Sequence, residues 1–265
     1  MSSHTPPTAL QKEVFYFRNR CWIAYTGLWK PYYHDPSYIL PMLKLLAFNA
    51  SPRRASGTTD IVMEAFMEGA RKAGAEAEKH HVADLDIGGC LGCFSCWWRT
   101  PGKCVQSDDM DWVLPAINES DILVLGTPIY SRNTTHHLQR LVERTFLNTL
   151  PEMYVEDGAT RHPSRAKKSP RLVLVSTCGF PDLANFDHVR RLYPGALNIL
   201  LPASQLLLND EGRKYLSGFL DAVKLAGRTM ASGEEISGDL RERLIVDYPE
   251  DVKKLVVERH NEYNA

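Results

Sequence analysis

The sequence predicts an α/β fold built on a parallel, doubly wound sheet. Five short apolar runs of strand length recur between residues 43 and 201, and segments with helical spacing of apolar residues separate most of them. Strands that alternate with helices favour a parallel sheet with helices on both faces. The chain has 265 residues, of which 44% are hydrophobic and 24% charged, as is usual for a globular protein.

The first strand, turn and helix form the most informative stretch, LKLLAFNASPRRASGTT at residues 43–59. An apolar strand over 43–49 precedes a turn rich in small and hydroxyl residues, and a helix is predicted over 58–73. Backbone N–H groups and the helix dipole at such a helix start attract anions. We therefore predict a phosphate site here, with an ordinary strand-to-helix connection as the alternative. The candidate donors are Ser51, Arg53, Arg54, Ser56, Thr58 and Thr59.

The remaining elements follow from local patterns. Strand two is weakly apolar, as suits the edge of a sheet, whereas strand three is the continuous apolar run of a strand covered on both faces. The further strands are predicted at 75–83 (strand two), 121–126 (strand three), 172–176 (strand four) and 197–201 (strand five). Helices are predicted at 110–118, beginning at Asp108-Asp109, at a segment carrying Leu138, Leu141, Val142 and Thr145, and at 216–230. Residues 151–170 are predicted to form a polar surface excursion.

Composition divides the chain into three parts. Residues 1–41 are rich in aromatic residues and proline, and we interpret them as an extension that packs on the domain or on a neighbouring subunit. Residues 42–232 hold the α/β domain. Residues 233–265 are charged, and we expect a helical tail that packs on the domain or a partner.

The overall charge and hydropathy exclude several classes of partner. A formal net charge of −1 gives no field that would favour nucleic acid or an acidic membrane surface. No apolar run approaches the ~20 residues that a membrane helix needs, and the first residues lack the features of a signal peptide. We therefore expect a cytoplasmic protein.

Three loops are predicted to meet where the parallel strands end, which is where ligands bind in such sheets. The phosphate turn follows strand one, residues 127–134 (TPIYSRNT) follow strand three, and residues 177–181 (TCGFP) follow strand four. Tyr130 and Phe180 would supply an apolar wall for a planar heterocycle.

These motifs resemble the NAD(P)H-dependent FMN reductase branch of the flavodoxin-like fold. The similarity covers about residues 43–232 and rests on four separated motifs in the family's order. They are Ser51-Pro52-Arg53 with Gly57-Thr58-Thr59, Thr127-Pro128-Ile129-Tyr130, Glu143-Arg144, and Cys178-Gly179-Phe180-Pro181.

The resemblance implies a five-stranded sheet of order 2-1-3-4-5, bound FMN, and NAD(P)H as co-substrate. It further implies a small electron acceptor such as a quinone or a flavin, and a homodimer or homotetramer. Because the cofactor carries the chemistry, we expect no indispensable catalytic side chain. The implied cofactor-binding residues are Ser51, Arg53, Thr58 and Thr59 for the phosphate, with Ser56 as a further candidate, Pro128, Ile129, Tyr130 and Ser131 along the isoalloxazine, and Thr177, Cys178 and Gly179 at its other edge.

Four of the six cysteines are crowded into the pattern Cys90-x2-Cys93-x2-Cys96-x7-Cys104. Ferredoxin-type clusters use a similar compact triplet, and the spacing resembles that of iron–sulfur flavoproteins. Three alternatives stay open: a [4Fe-4S] cluster, free or redox-active thiols, and zinc. Structural zinc sites usually show two separated CxxC pairs. Cys178 is expected to pack beside the flavin, and Cys21 to be a small buried hydrophobic residue.

Two other function classes compete with the reductase. In the first, the chain is an electron carrier in which FMN and a cluster relay electrons between larger redox proteins. In the second, it is a binding module that kept the fold without FMN. The paired histidines, His80-His81 and His136-His137, are expected to be solvated or to cap a helix, with contact between His137 and substrate as the alternative.

Overall fold

The computed structural model describes residues 42–263, together with the backbone of three strands in the preceding residues. The chain divides into two compact units, residues 1–41 and residues 42–265. In the first unit Glu13–Phe17, Arg20–Tyr25 and Leu28–Pro31 form a three-stranded antiparallel sheet. The side chain of Cys21 and those of the aromatic residues there lie outside the described residues, so their predicted roles, and the three-part division of the chain, stay predictions.

The second unit alternates strands and helices, which we number from its start. Its sheet strands are β1 Lys44–Asn49, β2 Glu76–His81, β3 Ile122–Pro128, β4 Arg171–Thr177 and β5 Leu197–Leu201. Its helices are α1 Thr58–Lys72, α2 Ser95–Trp98, α3 Met110–Glu119, α4 His136–Arg144, α5 Asp187–Leu192, α6 Asp210–Tyr215, α7 Ser217–Ala231, α8 Gly238–Arg243 and α9 Glu250–Tyr263. The predicted strands and helices are confirmed to within about two residues at their ends, which is the usual uncertainty of helix limits.

The five strands pair in parallel in the order 2-1-3-4-5, so the predicted fold class is confirmed. Successive side chains of each strand point to opposite faces. In β1, Leu45 and Ala47 pack with α1 and α7 on one face, whereas Leu46 and Phe48 pack with α3 and α4 on the other. The weakly apolar β2 lies at the edge, as predicted.

Helices α1 and α7 cross so closely that glycine is required at the contact. A Cβ atom on Gly69 would lie 1.9 Å from the carbonyl oxygen of Lys224, and one on Gly227 would lie 1.9 Å from the carbonyl oxygen of Phe66. Each distance is far shorter than a non-bonded contact. The two helices can therefore approach this closely only because glycine has no side chain at either position. The crossing fixes α1, whose first residues contribute to the candidate site.

Residues beyond 232 contribute to the same apolar core as the sheet. Ile236, Leu240, Leu244 and Tyr248 are buried in the cluster that covers the α1–α7 face, and Val256 of α9 joins them. In contrast, residues 151–170 are mostly exposed, and a two-stranded hairpin of Tyr154–Glu156 and Ala159–Arg161 lies within them. Within residues 42–263 no helix combines the length and apolar character that crossing a bilayer requires.

Candidate functional site

A cavity of about 190 Å³ lies at the carboxyl edge of the sheet. It brings together the three predicted loops, after β1, β3 and β4, and also the segment that follows β5. The lining residues are Ser51, Arg53, Gly57, Thr58, Thr59, Pro128, Ile129, Tyr130, Thr177, Cys178, Gly179, Ser204, Gln205 and Leu208. The carboxyl ends of parallel strands meet at one edge, which explains why residues so distant in sequence share this cavity.

A series of hydrogen bonds between buried polar groups holds the turn after β1 in place. The Asn49 side chain accepts a hydrogen bond from the backbone N–H of Ser51 at 2.9 Å and donates one to Asp60 Oδ1 at 2.8 Å. Lys79 Nζ also contacts Asp60 Oδ1, at 2.6 Å. Because Asn49 and Asp60 are buried, each of these polar groups needs its partner, and the turn has one favoured conformation.

Buried hydroxyl groups join the loops across the floor of the cavity. The hydroxyls of Thr59 and Thr177 lie 2.8 Å apart, which links the start of α1 to the end of β4. Thr58 donates a hydrogen bond to the hydroxyl of Ser204 at 2.9 Å, which links α1 to the segment after β5. These neutral donors, with the first N–H groups of α1, make an environment that suits a phosphate.

Two observations are consistent with a ligand such as FMN in this cavity. Gln205 lines the cavity, and its side-chain oxygen is buried without a hydrogen-bonding partner among the described residues, so a donor of a ligand would satisfy it. A Cβ on Gly57 would lie 2.9 Å from Ser51 Oγ and 3.1 Å from Arg53 Cβ, so the backbone there leaves a space that only glycine preserves. Ser51, Thr58, Thr59 and Arg53 would hold the phosphate, with the loop 128–130 and residues 177–179 beside the ring.

Ten of the twelve predicted cofactor-binding residues line the cavity, and two do not. The Ser56 hydroxyl is exposed and donates to the carbonyl of Arg53, and Ser131 is exposed with a left-handed backbone, at φ 49°. Arg54 instead contacts Asp84. Phe180, expected in the apolar wall, is 68% exposed and is absent from the lining.

Sequence reasoning missed Gly57, Ser204, Gln205 and Leu208 as lining residues. The signal for the last three was present, because β5 is a parallel strand and its carboxyl end meets the same edge as the others. The segment after β5 carries Ser204 and Gln205 directly behind Pro202-Ala203, and the 3-10 turn Ser204–Leu208 begins there.

The four crowded cysteines line a second cavity, of about 320 Å³. Cys90 and Cys93 are exposed, whereas Cys96 and Cys104 are half-buried. Hydrogen bonds from the backbone and hydroxyl of Ser95 lower the pKa of the Cys93 thiol, while burial raises that of Cys96. Among the described residues, no group of three or more His, Cys, Asp or Glu side chains is arranged to hold a metal ion.

An ion pair holds the cysteine segment against α4. Arg144, at the end of α4, is 2% exposed and contacts Asp108, whose carboxylate also accepts the backbone N–H groups of Gly88 and Met110. Met110 is the first residue of α3, so Asp108 also contacts the start of that helix, where the sequence placed the pair Asp108-Asp109. The Glu143-Arg144 motif therefore places a charged side chain beside the cysteine cavity, which both residues line.

The chain is similar to several known proteins. The family described as NADPH-dependent FMN reductase matches residues 43–185, more than half of the chain. Over 103 residues the chain is 39% identical to an iron–sulfur flavoprotein of Archaeoglobus fulgidus, a match that covers 39% of this chain and 49% of that protein. The chain thus spans about half the length of the curated relatives it matches.

Two solved structures share the fold. One is an NAD(P)H:quinone oxidoreductase from Methanothermobacter marburgensis, with a TM-score of 0.56 and 15% identity over 74% of this chain and 100% of that one. The other is an FMN-dependent NADH-azoreductase from Bacillus anthracis in complex with FMN, with a TM-score of 0.52 and 14% identity over 72% and 100%. At this identity the likeness concerns the fold. From the family match over residues 43–185, the chain belongs to the NADPH-dependent FMN reductase family.

Proposed function

We propose that the protein is an FMN-dependent NAD(P)H oxidoreductase that passes electrons from a nicotinamide to a small acceptor such as a quinone or a flavin. The observation that carries the proposal is the cavity at the carboxyl edge, where hydroxyl donors, the start of α1 and an unsatisfied Gln205 oxygen converge. When bound there, FMN supplies hydride acceptance from the nicotinamide and delivery of electrons to the acceptor.

The residues of the chain bind and orient the cofactor. Arg53 is exposed at the cavity and its guanidinium has no partner among the described residues, so it is available for a charge-assisted bond to phosphate. The backbone N–H of Ile129 donates to the carbonyl of Thr177 at 2.8 Å, which fixes the loop after β3 against β4. Cys178 is buried, and burial raises the pKa of its thiol, so this residue packs as a neutral side chain.

The test is anaerobic reduction of the FMN-loaded protein by NADPH and by NADH, followed as loss of oxidised-flavin absorbance. We expect bound FMN and its reduction by at least one nucleotide, with reoxidation on addition of a quinone. An Arg53→Gln variant should bind FMN about tenfold more weakly, the effect of losing one charge-assisted hydrogen bond. Protein that binds no FMN, or whose FMN neither nucleotide reduces, contradicts the proposal.

We further propose a cytoplasmic homodimer or homotetramer, which the family resemblance supports. Light scattering of the purified protein at several concentrations measures the assembly. A single species at the mass of one chain, about 30.0 kDa, would exclude it.

A second candidate function is that of an iron–sulfur electron carrier. It is favoured by the shared cavity of Cys90, Cys93, Cys96 and Cys104 and by the name of the 39% identical relative. Iron and sulfide analysis of protein purified without oxygen tests it, with a Cys96→Ser variant as the comparison. About four irons per chain, and reduction by a ferredoxin-like donor but not by NAD(P)H, would favour the carrier. Iron-free protein reduced by NAD(P)H would favour the reductase.

A further inference from the structure

A lysine on the edge strand β2 carries a charge that the proposed function does not use. Lys79 Nζ lies 2.6 Å from Asp60 Oδ1 and 2.5 Å from Glu64 Oε1, and the lysine side chain is only 13% exposed. A lysine is seldom buried to this extent unless its charge is paired. In the sheet register Lys79 lies opposite Ala47, which packs on the face that α1 covers. The ammonium group therefore lies between the edge of the sheet and the first two turns of α1.

Asp60 is joined by hydrogen bonds to the turn that forms the predicted phosphate site. Its Oδ1 atom accepts a hydrogen bond from Asn49 Nδ2 at 2.8 Å, and Asn49 Oδ1 accepts one from the backbone N–H of Ser51 at 2.9 Å. The backbone N–H of Asp60 donates to the carbonyl of Gly57 at 3.0 Å. Ser51 and Gly57 line the cavity, as does Thr59, which precedes Asp60 in sequence. A single hydrogen-bonded residue thus separates the carboxylate from the cavity lining.

A carboxylate at this position opposes the binding of a phosphate. Asp60 is the third residue of α1, so its negative charge offsets the positive potential at the helix start that an anion needs. Asp60 is only 6% exposed, and charges that are buried are screened much less than charges in water. The ammonium group of Lys79 cancels this charge from the side of the sheet.

Glu64 shares Lys79 but does not depend on it for a counter-charge. Arg71 Nη1 lies 3.1 Å from Glu64 Oε2, so this carboxylate has a second cation. The Glu64 side chain is also 42% exposed, and solvent screens its charge more than that of Asp60. The four side chains together carry two positive and two negative charges, so loss of Lys79 leaves one negative charge uncompensated next to the turn.

We propose that Lys79 makes the cavity prefer FMN to riboflavin, because its ammonium group cancels the negative charge of Asp60 behind the phosphate turn. This proposal rests on the proposed function. Lys79 is absent from the residues that line the cavity, so it acts through Asp60 and without contact with the flavin. Riboflavin has the ring and the ribityl chain of FMN but no phosphate, so the charge of Asp60 should affect FMN alone.

The first experiment measures the dissociation constants of FMN and of riboflavin by quenching of flavin fluorescence. In Lys79→Met we expect the constant of FMN to rise about tenfold and that of riboflavin to change by less than about twofold. Lys72→Met, which removes an equal charge from the exposed far end of α1, is the matched control and should leave both constants unchanged. Equal changes for the two flavins, or no change for either, would overturn the assignment.

A double substitution separates the charge of Lys79 from its packing. When Asp60→Asn is combined with Lys79→Met, no carboxylate remains behind the turn, and an amide oxygen can still accept the hydrogen bond of Asn49. We expect this double variant to bind FMN within about threefold of the wild type. Affinity as low as that of Lys79→Met alone would show that Lys79 acts by packing, which contradicts the proposal.

Urea denaturation shows whether each variant is folded. If Lys79→Met does not fold, Asp60→Asn alone decides, because it removes the negative charge and keeps Lys79. It should prefer FMN to riboflavin at least as strongly as the wild type does. A weaker preference would count against the charge of Asp60.

A further experiment decides the matter if the protein binds no flavin. Calorimetric titration of the flavin-free chain with inorganic phosphate needs neither cofactor nor turnover. We expect Lys79→Met to bind phosphate about tenfold more weakly than the wild type and Lys72→Met to bind it equally well. Binding that depends on Lys79, in a protein without flavin, supports the role of Lys79 while contradicting the reductase. Equal binding by the wild type and Lys79→Met, or none by either, would overturn the proposal.

Discussion

The guanidinium of Arg144 forms a bidentate ion pair with the carboxylate of Asp108, from Nη1 to Oδ2 at 2.5 Å and from Nη2 to Oδ1 at 3.1 Å. Nη1 also donates to the carbonyl of Gly88 at 2.9 Å. Gly88 precedes the first cysteine of the motif, and Asp108 follows the last. The end of α4 therefore fastens both ends of the cysteine segment, although Arg144 is distant from the cysteines in sequence.

Replacement of Arg144 should destabilise the fold strongly. Arg144→Met removes the partner of a carboxylate that is almost fully buried, and breaking such a pair costs about 3 kcal/mol or more. Urea denaturation measures the loss, with Arg190→Met on the exposed side of α5 as the comparison. A loss below about 1 kcal/mol would show that solvent reaches Asp108 freely.

The ion pair also predicts a pH dependence. Burial raises the pKa of Asp108, but hydrogen bonds from Arg144, Gly88 and Met110 lower it more, so the folded-state pKa lies below the usual 3.8. A lowered folded-state pKa means that the contribution to stability is complete above the unfolded pKa and is lost as the pH falls through the folded one. The wild type should exceed Asp108→Asn in free energy of unfolding at neutral pH, and this difference should shrink below about pH 4.

Urea denaturation of both proteins between neutral and acidic pH makes the comparison. Using the difference between them removes the contribution of other carboxylates, such as Asp121, whose pKa is also lowered. A difference that stays constant through acidic pH would contradict the role given to the charge of Asp108.

The contact of α1 and α7 should not tolerate a methyl group. In Gly227→Ala the new Cβ would meet the carbonyl oxygen of Phe66 at 1.9 Å, so the helices must separate, and we expect a loss of about 3 kcal/mol. Gly218→Ala on the same helix is the matched control. Its Cβ meets nothing, and a helix prefers alanine to glycine, so stability should be unchanged or rise by up to about 1 kcal/mol. Unchanged or increased stability in Gly227→Ala would contradict the close contact of α1 and α7.

The space around Gly57 should matter for FMN binding. Gly57→Ala places a Cβ 2.9 Å from Ser51 Oγ, which displaces that buried hydroxyl from the proposed phosphate site. We expect the dissociation constant of FMN to rise about tenfold, measured by quenching of flavin fluorescence. Gly218→Ala should bind FMN as the wild type does. Unchanged affinity in Gly57→Ala would place the phosphate elsewhere.

The thiols should differ in reactivity. The pKa of the exposed Cys93 is lowered by the backbone and hydroxyl of Ser95, whereas burial raises that of Cys178. In metal-free reduced protein, at about one pH unit below the usual thiol pKa, iodoacetamide should modify Cys93 first and Cys178 last. Ser95→Ala should slow the modification of Cys93 about threefold, because one hydrogen bond to its thiolate is lost. Mass spectrometry of timed digests gives the order, and early modification of Cys178 would contradict its burial.

Local patterns were sufficient for most of the predicted elements and for part of the site. Apolar spacing located the strands and α1, and the hydroxyl-rich turn after β1 contributes Ser51, Thr58 and Thr59 to the cavity. Ser56 and Ser131 were predicted from their positions in the motifs, but neither residue lines the cavity. Arg54 and Ser131 have positive φ angles, a conformation that a motif does not encode.

The sequence by itself determined the α/β class, the edge position of β2, and the three loops that line the cavity at the carboxyl edge of the sheet. Each of these depends on residues close together in the chain, or on the rule that parallel strands end at one edge. Only the tertiary structure decided that Ser204 and Gln205 complete the cavity, that the four cysteines share another, and that Arg144 reaches Asp108. These are distances between residues far apart in sequence, and they follow from how the helices pack on the sheet, which no local pattern specifies.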